Sequence, residues 1–109
     1  MSSFDALAQE ITEFLREHGI TRPTEIQELA IPVLLNSRED LLLIAPTGTG
    51  KTEAALLPLL HQLFRMKQVQ GGLMGFYILY VTPLRALNRD VFKRVGELCN
   101  RLGVTVDVR

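Results

Sequence analysis

Apolar positions recur with a helical period at the start of the chain, where Phe4, Leu7, Ile11, Phe14 and Leu15 share one face and predict a first helix. Gly19 ends the pattern, since glycine accepts the left-handed conformation that closes a helix. Arg22-Pro23-Thr24 breaks the chain, and Ile26, Leu29, Ala30, Val33 and Leu34 predict a second amphipathic helix. Pro32 should bend it or limit its regular part, because proline has no backbone donor. After the polar turn Asn36-Ser37-Arg38-Glu39-Asp40 comes Leu41-Leu42-Leu43-Ile44-Ala45, a short continuous apolar run of the kind buried on both faces of a parallel sheet. A third helix is predicted from Lys51, with Ala54, Ala55, Leu57, Leu60 and Phe64 apolar and Pro58 as a kink. Gly71-Gly72 and Gly75 mark a loop, and Phe76-Tyr77-Ile78-Leu79-Tyr80-Val81 reads as the next strand. Thr82-Pro83 joins a hydroxyl cap to proline at a first helical position, and Leu84, Leu87, Val91, Val95, Leu98 and Leu102 hold one face of the helix that follows. Gly103 ends it, and Val104-Thr105-Val106-Asp107-Val108 alternates as a last strand.

Two helices followed by strand-helix-strand-helix-strand imply right-handed crossovers, hence an α/β fold with a parallel sheet and flanking helices. Three parallel strands leave long edges, so the architecture reads as incomplete at Arg109. Composition suits one soluble domain, with 47% hydrophobic and 22% charged residues. No apolar run approaches the roughly 18 residues that cross a bilayer, and Met-Ser-Ser-Phe-Asp lacks the basic start of a signal peptide, so a cytoplasmic location is expected. Cys99 is the only cysteine, which excludes an internal disulfide and a cysteine-based zinc cluster. With no Trp and 6% aromatic residues, an aromatic stacking platform for nucleic acid is not expected.

Charge changes the picture more than composition does. The net formal charge is zero, yet residues 1–84 carry −3 and residues 85–109 carry +3, so a polyanionic partner belongs near the C-terminal end.

The sharpest local pattern is Ala45-Pro46-Thr47-Gly48-Thr49-Gly50-Lys51-Thr52, set between a predicted strand and a predicted helix as a phosphate loop requires. Glycines let successive amide N–H groups point inward, and the helix N-terminus adds a positive field. Thr47, Gly48, Thr49 and Gly50 would cradle a triphosphate, Lys51 would reach its β- and γ-phosphates, and the Thr52 hydroxyl would hold Mg²⁺. The strict pattern has glycine where this chain has Ala45; Gly48 and Gly50 still supply the curvature. The alternative is a strand-to-helix turn whose glycines serve geometry alone.

Thr24 with Gln27 three residues on forms a capping box, a sufficient structural reason for both. The Gln27 amide could also pair with adenine, donating to N7 and accepting from the N6 amine, a pattern guanine does not offer. Both readings can hold, since the cap would fix the loop that presents the glutamine. At the exit of the second predicted strand, Pro83 and Arg85 sit where open parallel sheets bind ligands, and a cation in the first turn opposes the helix dipole unless an anion joins it. Arg85 thus suits a nucleic-acid phosphate, whereas Arg89 and Lys93 are more simply a solvated helix face. His18 and His61 have no metal-ligand spacing and read as exposed helix residues; Glu53 reads as surface charge.

Taken together, Pro23-Thr24-Glu25-Ile26-Gln27, Ala45 to Thr52 and Thr82 to Leu87 resemble the Q motif, motif I and motif Ia of a superfamily 2 helicase. Within it, Leu43 to Ala55 and Tyr80 to Asp90 are most similar to the large helicase-related (Lhr) proteins, because DEAD-box RNA helicases typically carry Pro-Thr-Arg-Glu-Leu-Ala at motif Ia. The resemblance implies the N-terminal part of a P-loop NTPase (RecA-like) domain, residues 1–37 giving helices with the Q motif and residues 38–109 strand-helix repeats with motifs I and Ia. It implies ATP and Mg²⁺ as cofactors, nucleic acid as partner with DNA favoured over RNA, and a second RecA-like domain that supplies a transition-state arginine. By motif, Gln27 would recognise adenine, Gly48, Gly50, Lys51 and Thr52 would bind triphosphate and metal, and Pro83 and Arg85 would lie on the nucleic-acid backbone. The acid pair of motif II is missing, since no Asp-Glu dipeptide occurs, so this chain should bind nucleotide better than it hydrolyses it. The alternatives are a non-catalytic module that binds ATP and nucleic acid, and a small phosphotransferase with Asp107 as its strand-borne acid.

Overall fold

Ala8 divides the first predicted helix in two. In the computed structural model a 3-10 turn, Ser3–Ala6, is followed by extended backbone at Leu7 and Ala8 and then by α1, Gln9–Glu17. The Ala8 N–H donates to Nδ1 of His61 at 2.9 Å, so Ala8 leaves the helical ladder at that point. The apolar periodicity survives the break because both pieces bury the same side: Phe4, Leu7, Ile11, Phe14 and Leu15 are all buried. Each such side chain contributes about 1.5–3 kcal/mol of burial. Gly19 closes α1 at φ 76, with the Ile20 N–H donating back to the Leu15 carbonyl at 2.8 Å, the long bond of a left-handed helix end.

The structure describes residues 2–37, 40–44, 50–71, 78–81 and 89–106, the side chains of residues 90 and 91 excepted. The further helices are α2, Glu25–Asn36, α3, Lys51–Gln70, and α4, Arg89–Leu102. No helix of the described residues is long and apolar enough to cross a membrane. No paired strand occurs among the described residues; segments 40–44, 78–81 and 104–106 lie outside the helices. Their side chains are largely open, with Leu42, Ile44, Leu79 and Val81 each at least 80% exposed.

The chain divides into two units, Met1–Gln62 and Leu63–Arg109, and α3 runs through the division. In the first unit, α2 is tied to the N-terminal turn by Glu28, whose carboxylate accepts from the Ser3 N–H at 2.8 Å and from the Ser3 hydroxyl at 3.4 Å. The buried stripe of α2 is Gln27, Ala30 and Ile31, with Leu34 half-buried. Leu29 and Val33, expected inside, are instead 64% and 40% exposed, so the helix is rotated from its purely apolar reading. Pro58 is fully buried within α3, and Ala54, Leu57 and Leu60 are buried as their spacing predicts.

In the second unit Leu63, Leu98, Cys99 and Leu102 are buried. Gly103 closes α4 at φ 73, where the Val104 N–H reaches the Cys99 carbonyl at 2.8 Å. Lys67 of α3 donates to the carbonyls of Gly103 at 2.8 Å and Leu102 at 3.4 Å, placing a cation at the negative end of α4. A Cβ on residue 103 would meet only the flexible end of the Lys67 side chain, so it is the positive φ that favours glycine there.

Replacing Lys67 by Met should lower stability by about 1 kcal/mol, read as an earlier urea midpoint with unchanged slope. Burial pushes the Cys99 thiol above its ordinary pKa, so the reactive thiolate is suppressed while α4 stays packed. Iodoacetamide should modify Cys99 about tenfold more slowly in the native chain than in the urea-unfolded one at the same pH; equal rates would show that α4 does not pack as described.

Candidate nucleotide site

Thr24 and Gln27 form the capping box that their spacing predicts. The Thr24 hydroxyl accepts from the Gln27 N–H at 3.4 Å, and the Gln27 side-chain oxygen accepts from the Thr24 N–H at 2.9 Å. The box holds Gln27 with only 3% of its surface exposed at the start of α2. Its side-chain nitrogen then donates to the backbone carbonyl of Gly50 at 3.2 Å, joining two stretches 23 residues apart in sequence.

Gly50 is the hinge of this contact. Its φ of 83 lies in the left-handed region, and its carbonyl also accepts the Ala54 N–H at 3.0 Å, the first rung of α3. A Cβ on residue 50 would collide with the Gln27 side-chain nitrogen and come within 3.3 Å of the Thr24 hydroxyl. Glycine is therefore needed both for the turn and for the close approach of the glutamine. Lys51 and Thr52 occupy the first turn of α3, both half-buried, beside backbone donors that a helix leaves unsatisfied at its start. That placement suits an anion, and the Thr52 hydroxyl is a hard oxygen donor of the type Mg²⁺ takes.

The structure thus brings together Gln27, Gly50, Lys51 and Thr52. Thr47, Gly48, Thr49, Pro83 and Arg85, and with them Ala45, lie outside the described residues. No cluster of His, Cys, Asp and Glu fit to hold a metal ion occurs among the described residues. Glu53, read from sequence as surface charge, is buried at 8% exposure, and His61 is half-buried and bonded rather than an exposed helix residue. The link from Gln27 to Gly50 is not visible in sequence spacing; the signals for it were a capping-box glutamine long enough to reach outward and a glycine opening a helix.

Gly50→Ala forces strain at the positive φ and displaces the Gln27 amide. Gln27→Ala removes the collision and leaves only the strain. The two substitutions should therefore be less than additive in urea unfolding, by about 0.5–1 kcal/mol; full additivity would mean that the two residues do not touch.

Residues 24–109 match the DEAD/DEAH box helicase family. The ATP-dependent RNA helicase SrmB of Escherichia coli is 45% identical over 92 residues, which is 84% of this chain and 20% of that protein. The ATP-dependent RNA helicase DBP7 of Vanderwaltozyma polyspora is 37% identical over 102 residues, 90% of this chain and 14% of that protein. The probable ATP-dependent RNA helicase DDX46 of Homo sapiens is 35% identical over 100 residues, covering 92% of this chain and 10% of that protein. The chain thus spans a fifth or less of the length of these relatives. No solved structure matches it significantly. With its glutamine cap closed on the glycine that opens α3, and with the match running from Thr24 to Arg109, the chain belongs to the DEAD/DEAH box helicase family.

Proposed function

We propose that this chain is the ATP-binding front part of an ATP-dependent nucleic-acid helicase or translocase. The observation that carries the reading is the bond from the Gln27 amide to the Gly50 carbonyl, which couples a base-reading side chain to the turn that opens the phosphate-binding helix. Among the described residues, the Gln27 amide uses one of two donor hydrogens on Gly50 and one acceptor site on Thr24. One donor and one acceptor remain, the pair that adenine N7 and N6 require.

In this reading Thr47, Gly48, Thr49 and Gly50 wrap the triphosphate with backbone N–H groups, Lys51 meets the β- and γ-phosphates, and Thr52 holds Mg²⁺. The ion supplies charge neutralisation between the β- and γ-phosphates. Pro83 and Arg85 contact the strand. Segments 41–45, 76–81 and 104–108 form a RecA-like parallel sheet, a proposal supported by the family match and by the open apolar side chains of Leu42, Ile44, Leu79 and Val81. The chain contains no Asp-Glu dipeptide, so hydrolysis and unwinding require an acid pair and a second RecA-like domain from outside these 109 residues.

The Thr-Pro-Leu-Arg-Ala-Leu form of motif Ia resembles the Lhr proteins and pointed to DNA, but the relatives named above are RNA helicases. That favours RNA as the track. A non-catalytic module that binds ATP and nucleic acid is the second reading, favoured by the missing acid pair.

Titration with a fluorescent ATP analogue and Mg²⁺ should give saturable binding that resists GTP competition. Lys51→Ala should weaken it at least tenfold, and Gln27→Ala should erase the preference over GTP with smaller loss of affinity. An analogue bound equally well by the Lys51→Ala chain would remove the phosphate-loop reading. Turnover that stays absent after the rest of the helicase is supplied would favour the non-catalytic module.

A further inference from the structure

The break between the N-terminal turn and α1 is a conformation that the local sequence does not require. Residues 2–17 contain no glycine and no proline, and their apolar positions follow one helical face. The Ser2 and Asp5 capping box that opens the 3-10 turn would open a longer α-helix equally well. Leu7 and Ala8 are nonetheless extended, at φ -84, ψ 158 and φ -56, ψ 145. A continuous helix would give the Ala8 N–H to the Phe4 carbonyl. It goes instead to Nδ1 of His61 at 2.9 Å, and the Phe4 carbonyl takes the Leu7 N–H at 3.0 Å. Ala8 is 0% exposed, so water does not substitute for either acceptor.

A backbone N–H only donates, so Nδ1 of His61 carries no proton here, and the bond lasts only while the imidazole is neutral. A proton on Nδ1 sets two N–H groups against each other beside a buried backbone. Imidazole is the side chain whose charge ordinarily changes between about pH 5 and 8. His18, the other histidine, is in the opposite position. Its Nδ1 faces the Phe14 carbonyl at 2.9 Å, a carbonyl only accepts, and a protonated ring keeps that bond. The charged groups flanking the junction on each element are Asp5 and Glu10 around Ala8, Glu28 on α2 and Arg65 one turn past His61 on α3. Asp5 accepts the Ser2 N–H at 3.0 Å, Glu28 accepts the Ser3 N–H at 2.8 Å, and Arg65 donates to Gln68 at 2.9 Å.

We propose that residues 3–17 are a two-state element set by His61. With a neutral ring the chain is held broken at Ala8; with a protonated ring the Ala8 N–H turns to the Phe4 carbonyl and residues 3–17 close into one helix. Phe4, Leu7 and Ile11, buried now, fall on a single helical face in the closed form. Closure shortens Leu7 and Ala8 from about 3.3 to about 1.5 Å of rise each, roughly 4 Å in all, which is more than the Ser3 to Glu28 bond can absorb. The switch thereby releases Glu28, the neighbour of Gln27 on α2. Gln62, next to His61, donates to the Leu34 carbonyl of α2 at 3.1 Å and keeps α2 and α3 tied in both forms. The element itself needs no nucleotide; only its bearing on adenine through Gln27 rests on the proposed function.

The test is nuclear magnetic resonance of the nucleotide-free chain at about pH 7.5 and about pH 5.5, reading the Cα shifts of Leu7 and Ala8, the protection of the Ala8 amide and the ring titration of His61. In the wild-type chain the shifts should move from extended to helical, with a midpoint that coincides with the His61 ring, and the ratio of the two forms should change about tenfold. His61→Asn keeps an acceptor near the position of Nδ1 that does not titrate, and should stay extended at both pH values. His61→Leu removes the acceptor and should be helical at both, while His18→Gln should leave the transition as in the wild type. Should His61→Leu fail to fold, wild type against His61→Asn still decides. Extended shifts at both pH values in the wild type, a transition that persists in His61→Asn, or a change to random-coil shifts on acidification would each overturn the proposal. The same samples titrated with the ATP analogue separate the two readings: a transition that follows His61 in a chain that binds no analogue upholds the switch and overturns the nucleotide function.

Discussion

A single buried amide organises the first unit. Gln27 closes its own helix by capping Thr24 and reaches across to the residue that opens the next helix. Burying such a group without partners would cost roughly 1–3 kcal/mol, and the two bonds offset that cost while fixing the separation of α2 from the start of α3. The contact also explains the conformation of Gly50, since only a residue without a Cβ can take a positive φ and let the amide approach. A side chain chosen for helix capping thereby sets the geometry of the turn that precedes Lys51. Capping Thr24 and reaching Gly50 use two of the four polar sites on one amide.

The rotation of α2 follows from that amide. A reading that places every polar residue outside puts Leu29 and Val33 in the core, yet Gln27, Ala30 and Ile31 are the buried ones. Periodicity knows only polarity, whereas Gln27 is polar and satisfied by partners 3 and 23 residues away. The same limit explains the broken first helix. The apolar face from Phe4 to Leu15 was legible, but the loss of the Ala8 N–H to His61 depends on a residue 53 positions away. Local chemistry read better: the Thr24 cap and the left-handed glycines 19 and 103 needed only their neighbours. So did the placement of Lys51 and Thr52 at a helix start, since loop glycines and the first apolar turn of α3 adjoin them in sequence.

Strand pairing is the opposite case. A parallel strand has no local closure, and its hydrogen bonds all come from distant chain. Leu42 and Ile44, Leu79 and Val81 are as apolar as a buried strand requires and are nonetheless open in the structure. Sequence declares what such segments need, not whether partners are at hand. Helices α1 to α4 close most of their backbone hydrogen bonds within themselves, which is why neighbouring residues suffice to read them.

The charge distribution separates two kinds of anion recognition in one short chain. The proposed triphosphate site lies in the stretch whose net charge is −3, so its affinity cannot come from a general positive field. It must come from donors in contact with the phosphates, the N–H groups at the head of α3 and the Lys51 ammonium, helped by Mg²⁺. These act over a few ångströms, well inside the roughly 8–10 Å over which salt screens exposed charge. A nucleic-acid strand is a different ligand, long enough to meet several exposed cations at once and to release counterions at each. Arg89 and Lys93, exposed on α4 within the stretch of net charge +3, are cations of the kind such a ligand would need.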